Sequence, residues 1–234
     1  MIRLLDNLEN ISEPYMGSEI LSLYNSFNKQ TQRLCLYEND EGAVLLRFDE
    51  RLLISGRTDL KEAKALCRMF GLKRIEVLKK DMSFIPHRSY YHSIMEWERD
   101  EICEKSPKQA ENMKVPFEIL KKSDTIFNDV SLYDYWLSDV RSLERTGSMS
   151  VFVKGEDATA SVGARGFGKS LISQVATVPE MRGKGLASEL LREVCALEKA
   201  KGNTPFLVSK DRKTDSFYKS LGFMKRETKV LIYL

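Results

Sequence analysis

The sequence predicts an α/β protein built on a mixed sheet. Apolar residues recur at helical spacing in some stretches, and short apolar runs rich in β-branched residues alternate with these stretches along the chain. The length of 234 residues suits one large or two small domains. Hydrophobic residues make up 42% of the chain and charged residues 30%, at a mean hydropathy of −0.35, which excludes a membrane protein and a disordered chain.

The charge balance and the cysteines narrow the class further. The formal net charge is only +3, so nucleic acid and an anionic membrane surface are not expected partners, and an anionic ligand needs a local site. The cysteines Cys35, Cys67, Cys103 and Cys195 are far apart and lack CxxC spacing, which predicts free thiols. Because no signal-like or membrane-spanning apolar run is present, we expect a cytoplasmic protein.

A polar, charged stretch at residues 99–115 separates two segments with periodic apolar patterns. It predicts a smaller N-terminal α/β domain over residues 1–105 and a second domain over residues 116–234. The order of predicted elements in the two segments is similar, namely helix, three strands, helix and strand. We therefore expect a degenerate duplication.

The elements follow from periodicity, capping residues and turn residues. In the first segment they are a helix at 20–27 behind a Ser18 cap, strands at 33–37, 43–48 and 51–55, a helix from Asp59 to Gly71, and a strand at 74–78. In the second they are a strand at 117–120, a helix at 130–143, strands at 149–153, 159–164 and 171–178, a helix from Gly185 to just before Gly202, a strand at 205–209, a helix at 214–221 and a strand at 229–234.

Residues 163–170, from Gly163 to Ser170, read GARGFGKS and fit the phosphate-loop pattern GxxxxGK[ST]. That loop needs a helix directly after its Lys-Ser pair, so that the helix N-terminus faces the phosphates. The following LISQVATVP is rich in β-branched residues and predicts a strand instead. We expect these glycines to turn a hairpin, and a nucleotide-binding protein remains the less favoured alternative.

A second glycine motif lies at residues 175–188, where a strand, a glycine loop and an amphipathic helix follow one another. Gly183 and Gly185 allow the backbone to curl, so that consecutive N–H groups and the positive end of the helix converge. Such a loop is a receptacle for a diphosphate, with Arg182 and Lys184 adding positive charge at its rim. An ordinary strand-to-helix turn with solvated basic residues is the competing interpretation.

Two motifs in this region resemble signatures of the GNAT superfamily of acyl-CoA-dependent N-acyltransferases. Arg182-x-x-Gly185-x-Ala187 is similar to the Arg/Gln-x-x-Gly-x-Gly/Ala signature, and the string at residues 211–223 is similar to Asn-x6-Tyr-x3-Gly-Phe. The resemblance covers residues 116–234 and implies the GNAT fold there, with a first half that is at most GNAT-like. The Val-x-Thr-x-Pro-x-x-Arg-Gly wording most resembles the branch that includes glycine acyltransferase-like proteins.

The resemblance implies an acetyltransferase that uses acetyl-CoA as co-substrate and no metal. Acyl-CoA would bind where the strands at 171–178 and 205–209 splay apart, because an unpaired strand edge suits an extended ligand with amide groups. The implied pantetheine contacts are the backbone groups of Ala176, Thr177 and Val178. The implied diphosphate contacts are the amides of Arg182, Gly183, Lys184, Gly185, Leu186, Ala187 and Ser188.

The resemblance also assigns the chemistry. Tyr218 matches the family tyrosine whose hydroxyl points at the CoA sulfur, which makes it the expected general acid for the departing thiolate. Asp211 stands at the position of the family's Asn; it can cap the following helix, and we count it among the cofactor-binding residues. The family's glutamate position holds Leu171 here, with Ser173 and Gln174 nearby, so water is the expected base. A non-catalytic acyl-CoA binder is the alternative function.

The acceptor is expected to be a primary amine of a small molecule, an amino acid or a peptide. Tyr133, Asp134, Tyr135 and Trp136 cluster on one predicted helix, and an aspartate among aromatic rings suits a cationic amine, although such spacing also suits a packed core. The first segment passes through residues 55–58 straight into a helix, without a glycine loop. We expect it to bind no CoA and to shape the acceptor cleft or form a homodimer.

Overall fold

The computed structural model describes residues 2–5, 8, 11, 13–27, 32–100, 105–123 and 132–234. Six α-helices and one sheet of eleven strands lie within these ranges. The strands are β1 (Ile2–Leu4), β2 (Leu34–Asn39), β3 (Val44–Phe48), β4 (Arg51–Ser55), β5 (Arg74–Leu78), β6 (Ser89–Trp97), β7 (Ser150–Lys154), β8 (Ala158–Gly166), β9 (Lys169–Thr177), β10 (Thr204–Ser209) and β11 (Phe223–Tyr233). The helices are α1 (Pro14–Phe27), α2 (Leu60–Phe70), α3 (Lys114–Ser123), α4 (Leu132–Arg145), α5 (Leu186–Ala200) and α6 (Arg212–Ser220).

The strands are ordered β1-β2-β3-β4-β5-β11-β6-β10-β9-β8-β7. The pairs β4–β5 and β9–β10 are parallel, and the other neighbours are antiparallel. Each half thus contains three antiparallel strands, a crossover helix and a parallel fourth strand, which is the order the sequence predicts.

The two halves exchange their last strands. β6 follows β5 in sequence but lies between β11 and β10, and β11 follows β10 in sequence but lies between β5 and β6. The sheet therefore runs without interruption across the boundary that the sequence predicts between residues 105 and 116. The division into two domains stays a prediction.

Successive side chains of each strand point to opposite faces of the sheet, and a layer of helices covers each face. Leu171 and Phe206 pack in the core beneath α1, whereas their neighbours Ile172 and Leu207 pack in the core beneath α5 and α6. The helices α3 and α4 share the α1 side, because Leu143 of α4 packs against both of the cores on that side. The helix α2 covers the opposite face of the first half.

Two predicted details of these elements are wrong. Ser18 is not an N-cap, because α1 begins four residues earlier at Pro14, and the Glu13 carboxylate accepts hydrogen bonds from the N–H groups of Tyr15 and Met16 at 2.9 and 2.7 Å. The predicted strand at 117–120 lies inside α3. The Asn112 carboxamide accepts from the Lys114 N–H at 3.0 Å and starts that helix.

The predicted helix at 130–143 is observed as α4, and its first two predicted residues lie outside the described residues. Cys35, Cys67 and Cys195 form no disulfide among the described residues, as predicted, whereas Cys103 also falls outside those residues. None of the described helices is long and apolar enough to cross a membrane.

The hairpin prediction for residues 163–170 is confirmed. β8 ends at Gly166, β9 begins at Lys169, and the chain continues as strand rather than helix after Ser170. The Lys169 ammonium pairs with the Glu96 carboxylate on β6 and so does not stand free for a phosphate. The structure thus contradicts the phosphate-loop alternative.

Gly166 allows α1 to pack directly on the hairpin. A Cβ built there would lie 2.9 Å from Leu21 Cδ2 and 3.2 Å from Ser18 Cα. We expect Gly166→Ala to lower the free energy of unfolding by about 1–3 kcal/mol through overpacking, measured by urea denaturation. Adding Leu21→Ala should recover part of this loss, and strictly additive effects of the two substitutions would contradict the close approach.

An ion-pair network around the buried Glu76 and Lys229 side chains joins α1, β4, β5 and β11. Lys229 Nζ lies 2.6 Å from Glu76 Oε2 and 3.1 Å from Glu19 Oε2, and the Arg74 guanidinium lies 2.7 Å from Glu76 Oε1. Arg51 Nη1 lies 3.2 Å from Glu19 Oε1 and 3.5 Å from Glu76 Oε1. Burial alone would raise the pKa of Glu76, but the surrounding cations hold it well below its usual range.

Candidate functional site

A gap opens between the parallel strands β9 and β10. They pair from Lys169–Thr204 to Ile172–Leu207, and the described residues form no pairs between them beyond that point. A bulge diverts β9 directly afterwards: Gln174 has a φ of 50°, and the register against β8 shifts at this position. The second half of β9 therefore presents an open backbone edge, as the resemblance implies.

The gap continues into a cleft of about 820 Å³. The residues predicted for the site that line it are Ala176, Thr177, Arg182, Gly183, Gly185, Leu186, Ala187, Ser188 and Tyr218. The lining residues that the sequence analysis did not assign to the site are Leu120, Ser123, Gln174, Val175, Met181, Lys210, Thr214 and Phe217. Thr214 stands four residues before Tyr218 on α6, so helical spacing from that tyrosine could have found it, and Phe217 stands three residues after Thr214.

The glycine loop has the geometry that the motif predicts. Gly183 and Gly185 have φ values of 79° and 81°, in the left-handed region, and Gly185 is the N-cap of α5. The first backbone bond of α5 runs from the Glu189 N–H to the Gly185 carbonyl, so the three preceding N–H groups have no acceptor within the helix. A Cβ at either glycine would meet no atom within 4 Å, so both face open space.

Three residues predicted for the site do not line this cleft. Val178 is buried, and its N–H donates to the Asp157 carbonyl at 2.8 Å on the far side of β9. The Lys184 ammonium turns back to Met181 Sδ at 3.1 Å.

Asp211, the third of these residues, caps α6 by accepting from the N–H and the hydroxyl of Thr214, each at 2.8 Å. These bonds lower the pKa of its carboxyl group, the backbone bond most. The capping part of its prediction is therefore confirmed.

The Arg182 side chain binds backbone at the rim of the cleft. Its Nε donates to the Thr177 carbonyl at 3.2 Å, and its Nη2 donates to the Ser123 carbonyl at 3.3 Å. The Ser123 hydroxyl donates to the same Thr177 carbonyl at 3.0 Å. These bonds connect the glycine loop to β9 and to the end of α3.

Tyr218 forms one wall of the cleft. It is 9% exposed, and its ring packs edge-on against Phe223 at 5.7 Å between centroids. Burial raises the pKa of its hydroxyl to about 12, so the phenol stays protonated near neutrality. That hydroxyl has no hydrogen-bond partner among the described residues and is a free donor.

No carboxylate or imidazole is among the described residues that line the cleft. Leu171, at the family's base position, packs in the core beneath α1. Gln174 lines the cleft, and its Oε1 accepts from the Ser161 hydroxyl at 3.1 Å. Nor does the described part of the chain hold a cluster of three His, Cys, Asp or Glu side chains that could bind a metal ion.

The aromatic cluster proposed for the acceptor is divided between two environments. Tyr133 and Trp136 pack against Phe117 of α3 at 5.0 and 5.4 Å, as core residues do. Tyr135 is 63% exposed and lies under the Arg33 guanidinium, and Asp134 is exposed. None of the four predicted residues lines the described cleft.

The first half closes the place that corresponds to the cleft. β4 and β5 pair only as far as Leu53 and Glu76, but the Thr58 N–H then donates to the Asp81 carbonyl at 2.9 Å, and Thr58 forms a parallel bridge with Met82. Thr58 is 2% exposed. The backbone edge that is open on β9 is thus occupied in the first half, which supports the prediction that this half binds no CoA.

Comparison with known proteins agrees with this geometry. Residues 145–225 match the family model of the acetyltransferase (GNAT) domain. A GNAT-family protein from Novosphingobium aromaticivorans is 20% identical, with 91% of this chain and 97% of that one covered at a TM-score of 0.56. A GCN5-related N-acetyltransferase from Kribbella flavida is 14% identical, covering 91% and 94% at 0.59. An acetyltransferase from the GNAT family of Colwellia psychrerythraea is 10% identical, covering 100% and 99% at 0.57. No curated protein sequence matches the chain.

The matched residues contain the glycine loop, α5, β10 and α6, which form most of the cleft. The solved structures share the mixed α/β fold over nearly the whole chain, which confirms the predicted fold class. Similarity to the glycine acyltransferase-like branch stays a prediction. Residues 145–225 of this chain therefore match the acetyltransferase (GNAT) domain, and the fold that contains them resembles the solved GNAT structures through both halves.

Proposed function

We propose that this protein transfers an acetyl group from acetyl-CoA to a primary amine of a small molecule, an amino acid or a peptide. The observation that carries the proposal is the cleft in which an open strand edge, a helix N-terminus and a buried tyrosine meet. The acceptor class, a cytoplasmic location and a homodimer stay predictions.

The lining of the cleft fits the parts of CoA. The edge of β9 that is not paired with β10 offers backbone groups to the pantetheine amides, apart from the Thr177 carbonyl, which already accepts from Arg182 and Ser123. The free N–H groups of residues 186–188 and the positive end of α5 suit the diphosphate, and Lys210 adds a cation to the lining. Both glycines leave the space above the loop clear of side chains.

The reaction is a direct displacement in a ternary complex. The neutral amine nitrogen attacks the thioester carbonyl carbon, the C–N bond forms, and the C–S bond breaks. The Tyr218 hydroxyl gives its proton to the departing thiolate and later regains one from water, while water takes the proton that the amine loses. Holding both reactants in one cleft supplies most of the rate gain, and the proton donor supplies the rest.

A second candidate function is a non-catalytic acyl-CoA binder. The observation that favours it is the lack of a carboxylate or imidazole base among the described cleft residues, with Leu171 at the family's base position. Thiol release from acetyl-CoA with a panel of amino acids, polyamines and short peptides separates the two functions. Only the transferase releases CoA in an amine-dependent manner.

Ligand-induced thermal stabilisation tests the shared part of both functions. CoA at 100 times its Kd should add about 2.7 kcal/mol to the free energy of unfolding, because it binds only the folded chain. ATP with Mg²⁺ should leave the melting temperature unchanged, since Lys169 is already paired with Glu96. Stabilisation by ATP and not by CoA would overturn the proposal.

Two glycines at opposite ends of α5 form a matched pair of variants. Gly185 and Gly202 have φ values of 81° and 83°, and a Cβ at either meets no atom within 4 Å. Alanine should therefore introduce similar backbone strain at both positions. We expect Gly185→Ala to weaken CoA binding at least tenfold by calorimetry and Gly202→Ala to leave the Kd unchanged. A tenfold difference in Kd corresponds to about 1.4 kcal/mol in the free energy of binding. Equal Kd values for the two variants would contradict the assigned loop.

The rate should rise with pH and then stay constant. The amine must lose its proton to attack, which gives the rising limb, whereas the raised pKa of Tyr218, about 12, keeps the phenol protonated until about pH 11. A profile of kcat/KM from pH 6 to 10.5 checks this expectation. A falling limb centred below pH 10 would show that another acid protonates the thiolate.

A further inference from the structure

The helix that carries Tyr218 has little apolar surface of its own to hold it in place. α6 contains nine residues, and Tyr218 is the buried one among them. So short a helix depends on tertiary contacts for its position. The strand β6, which comes from the other half of the chain, supplies two polar contacts, one near each end of α6.

The first contact holds the start of α6. The Ser93 hydroxyl on β6 donates to Asp215 Oδ2 at 2.9 Å, and Ser93 is 7% exposed. The second carboxylate oxygen of Asp215 is buried and has no partner among the described residues. The Ser93 hydroxyl is therefore the hydrogen-bond donor that the described chain provides for this carboxylate.

The second contact holds the end of α6. Trp97 on β6 is 1% exposed, and its indole N–H donates to the Leu221 carbonyl at 3.2 Å, directly after the helix. Trp97 also pairs across the sheet with Phe223, the residue against which the Tyr218 ring packs. Ser93 and Trp97 are four residues apart, so both side chains lie on the same face of β6.

The two contacts flank the tyrosine symmetrically. Asp215 precedes Tyr218 by three residues and Leu221 follows it by three. We infer that β6 anchors α6 at two points, and that Ser93 and Trp97 are positioning residues that hold Tyr218 at the acyl-CoA sulfur. The inference rests on the proposed function. It assigns the first half of the chain a role in catalysis without a CoA site of its own.

Variants of Ser93 and Trp97, with two controls, test whether β6 anchors α6. Ser93→Ala removes the donor at the first point, and Trp97→Phe removes the indole N–H at the second while keeping an aromatic ring. Ser216→Ala is the matched control, because its hydroxyl also belongs to α6 but is exposed and donates to the Arg212 carbonyl within the helix at 2.9 Å. Asp215→Asn keeps an oxygen that can accept from Ser93 and serves as the conservative variant.

Hydrogen exchange with mass spectrometry gives a readout that needs no turnover. In Ser93→Ala the amides of residues 212–221 should exchange faster, while those of α5 keep the rate of the parent. Asp215→Asn and Ser216→Ala should match the parent. Unchanged exchange in residues 212–221 of Ser93→Ala would overturn the inference that β6 anchors α6 at two points, whatever the outcome for Trp97→Phe.

Steady-state kinetics gives the second readout. We expect kcat to fall about 10- to 100-fold in Ser93→Ala and in Trp97→Phe, with the Kd of CoA by calorimetry unchanged, because a displacement of the acid on the order of 1 Å affects the chemical step and spares the glycine loop. Faster exchange with an unchanged kcat would also overturn the positioning role. A parent protein that acetylates no amine would instead refute the proposed function, and hydrogen exchange would still decide whether β6 anchors α6.

Discussion

Tyr218→Phe should lower kcat by about 10²- to 10⁴-fold and leave the Kd of CoA unchanged. The substitution removes one hydroxyl from a ring that is 9% exposed and packs edge-on against Phe223, so the packing of the ring survives. The hydroxyl forms no hydrogen bond within the described chain, so its loss leaves no protein group without a partner. What the variant loses is the proposed proton donor for the thiolate.

Tyr133→Phe is the matched control for this experiment. Tyr133 also packs edge-on against a phenylalanine, at 5.0 Å from Phe117, but it does not line the cleft. Its variant should keep the kcat of the parent in the same thiol-release assay. A Tyr218→Phe variant with the kcat of the parent would remove the tyrosine from the mechanism, whereas a higher Kd for CoA would assign it to binding.

Glu76→Gln should lower the free energy of unfolding by about 3–5 kcal/mol, because it leaves the buried Lys229 ammonium and two partly exposed guanidinium groups without their shared carboxylate. Glu76 is 2% exposed and lies within 2.7 Å of both Lys229 and Arg74. Glu50→Gln offers a control with the same chemical change at the exposed pair with Lys73, whose side chains are 62% and 68% exposed. That change should alter stability by less than about 1 kcal/mol. Urea denaturation at pH 7 measures both variants, and equal effects would contradict a stabilising network.

The same network predicts an acid dependence. The folded chain holds the pKa of Glu76 below its unfolded value, so its contribution is fully present above about pH 4.3 and is lost as the pH falls through the lower folded pKa. The parent should therefore lose more stability between pH 5 and pH 3 than Glu76→Gln does. Parallel losses in the two proteins would show that other carboxyl groups control acid unfolding.

Features with a local cause were predictable from the sequence. The glycine loop, the start of α5 and the hairpin at residues 163–170 each follow from glycines, β-branched runs and helix periodicity within a few residues. The role proposed for Tyr218 rests on resemblance and stays a prediction, because nothing in its immediate sequence distinguishes a catalytic tyrosine from a packed one. Asp211 was predictable as a cap because an aspartate before a helix has that chemistry in any fold.

Features that depend on distant partners were not predictable in the same way. The run at 117–120 is apolar and only four residues long, so its pattern suits a strand as well as the helix that forms. The strand β6 pairs with β10 and β11, more than 100 residues away, and no hairpin signal marks it. The direction of the Lys184 side chain and the burial of Val178 are likewise set by neighbours that the local sequence does not specify.

The interleaving of β6 and β11 limits how the chain can be divided. A fragment that begins at residue 116 would keep β10 and β11 but lose β6, which lies between them, and β5, the other neighbour of β11. One edge of β10 and both edges of β11 would then have no pairing partner. Such a fragment would aggregate or recruit a replacement strand, whereas two fragments produced together would complement each other. Expression of the matched region by itself is consequently a poor route to an active enzyme, even though it contains most of the cleft.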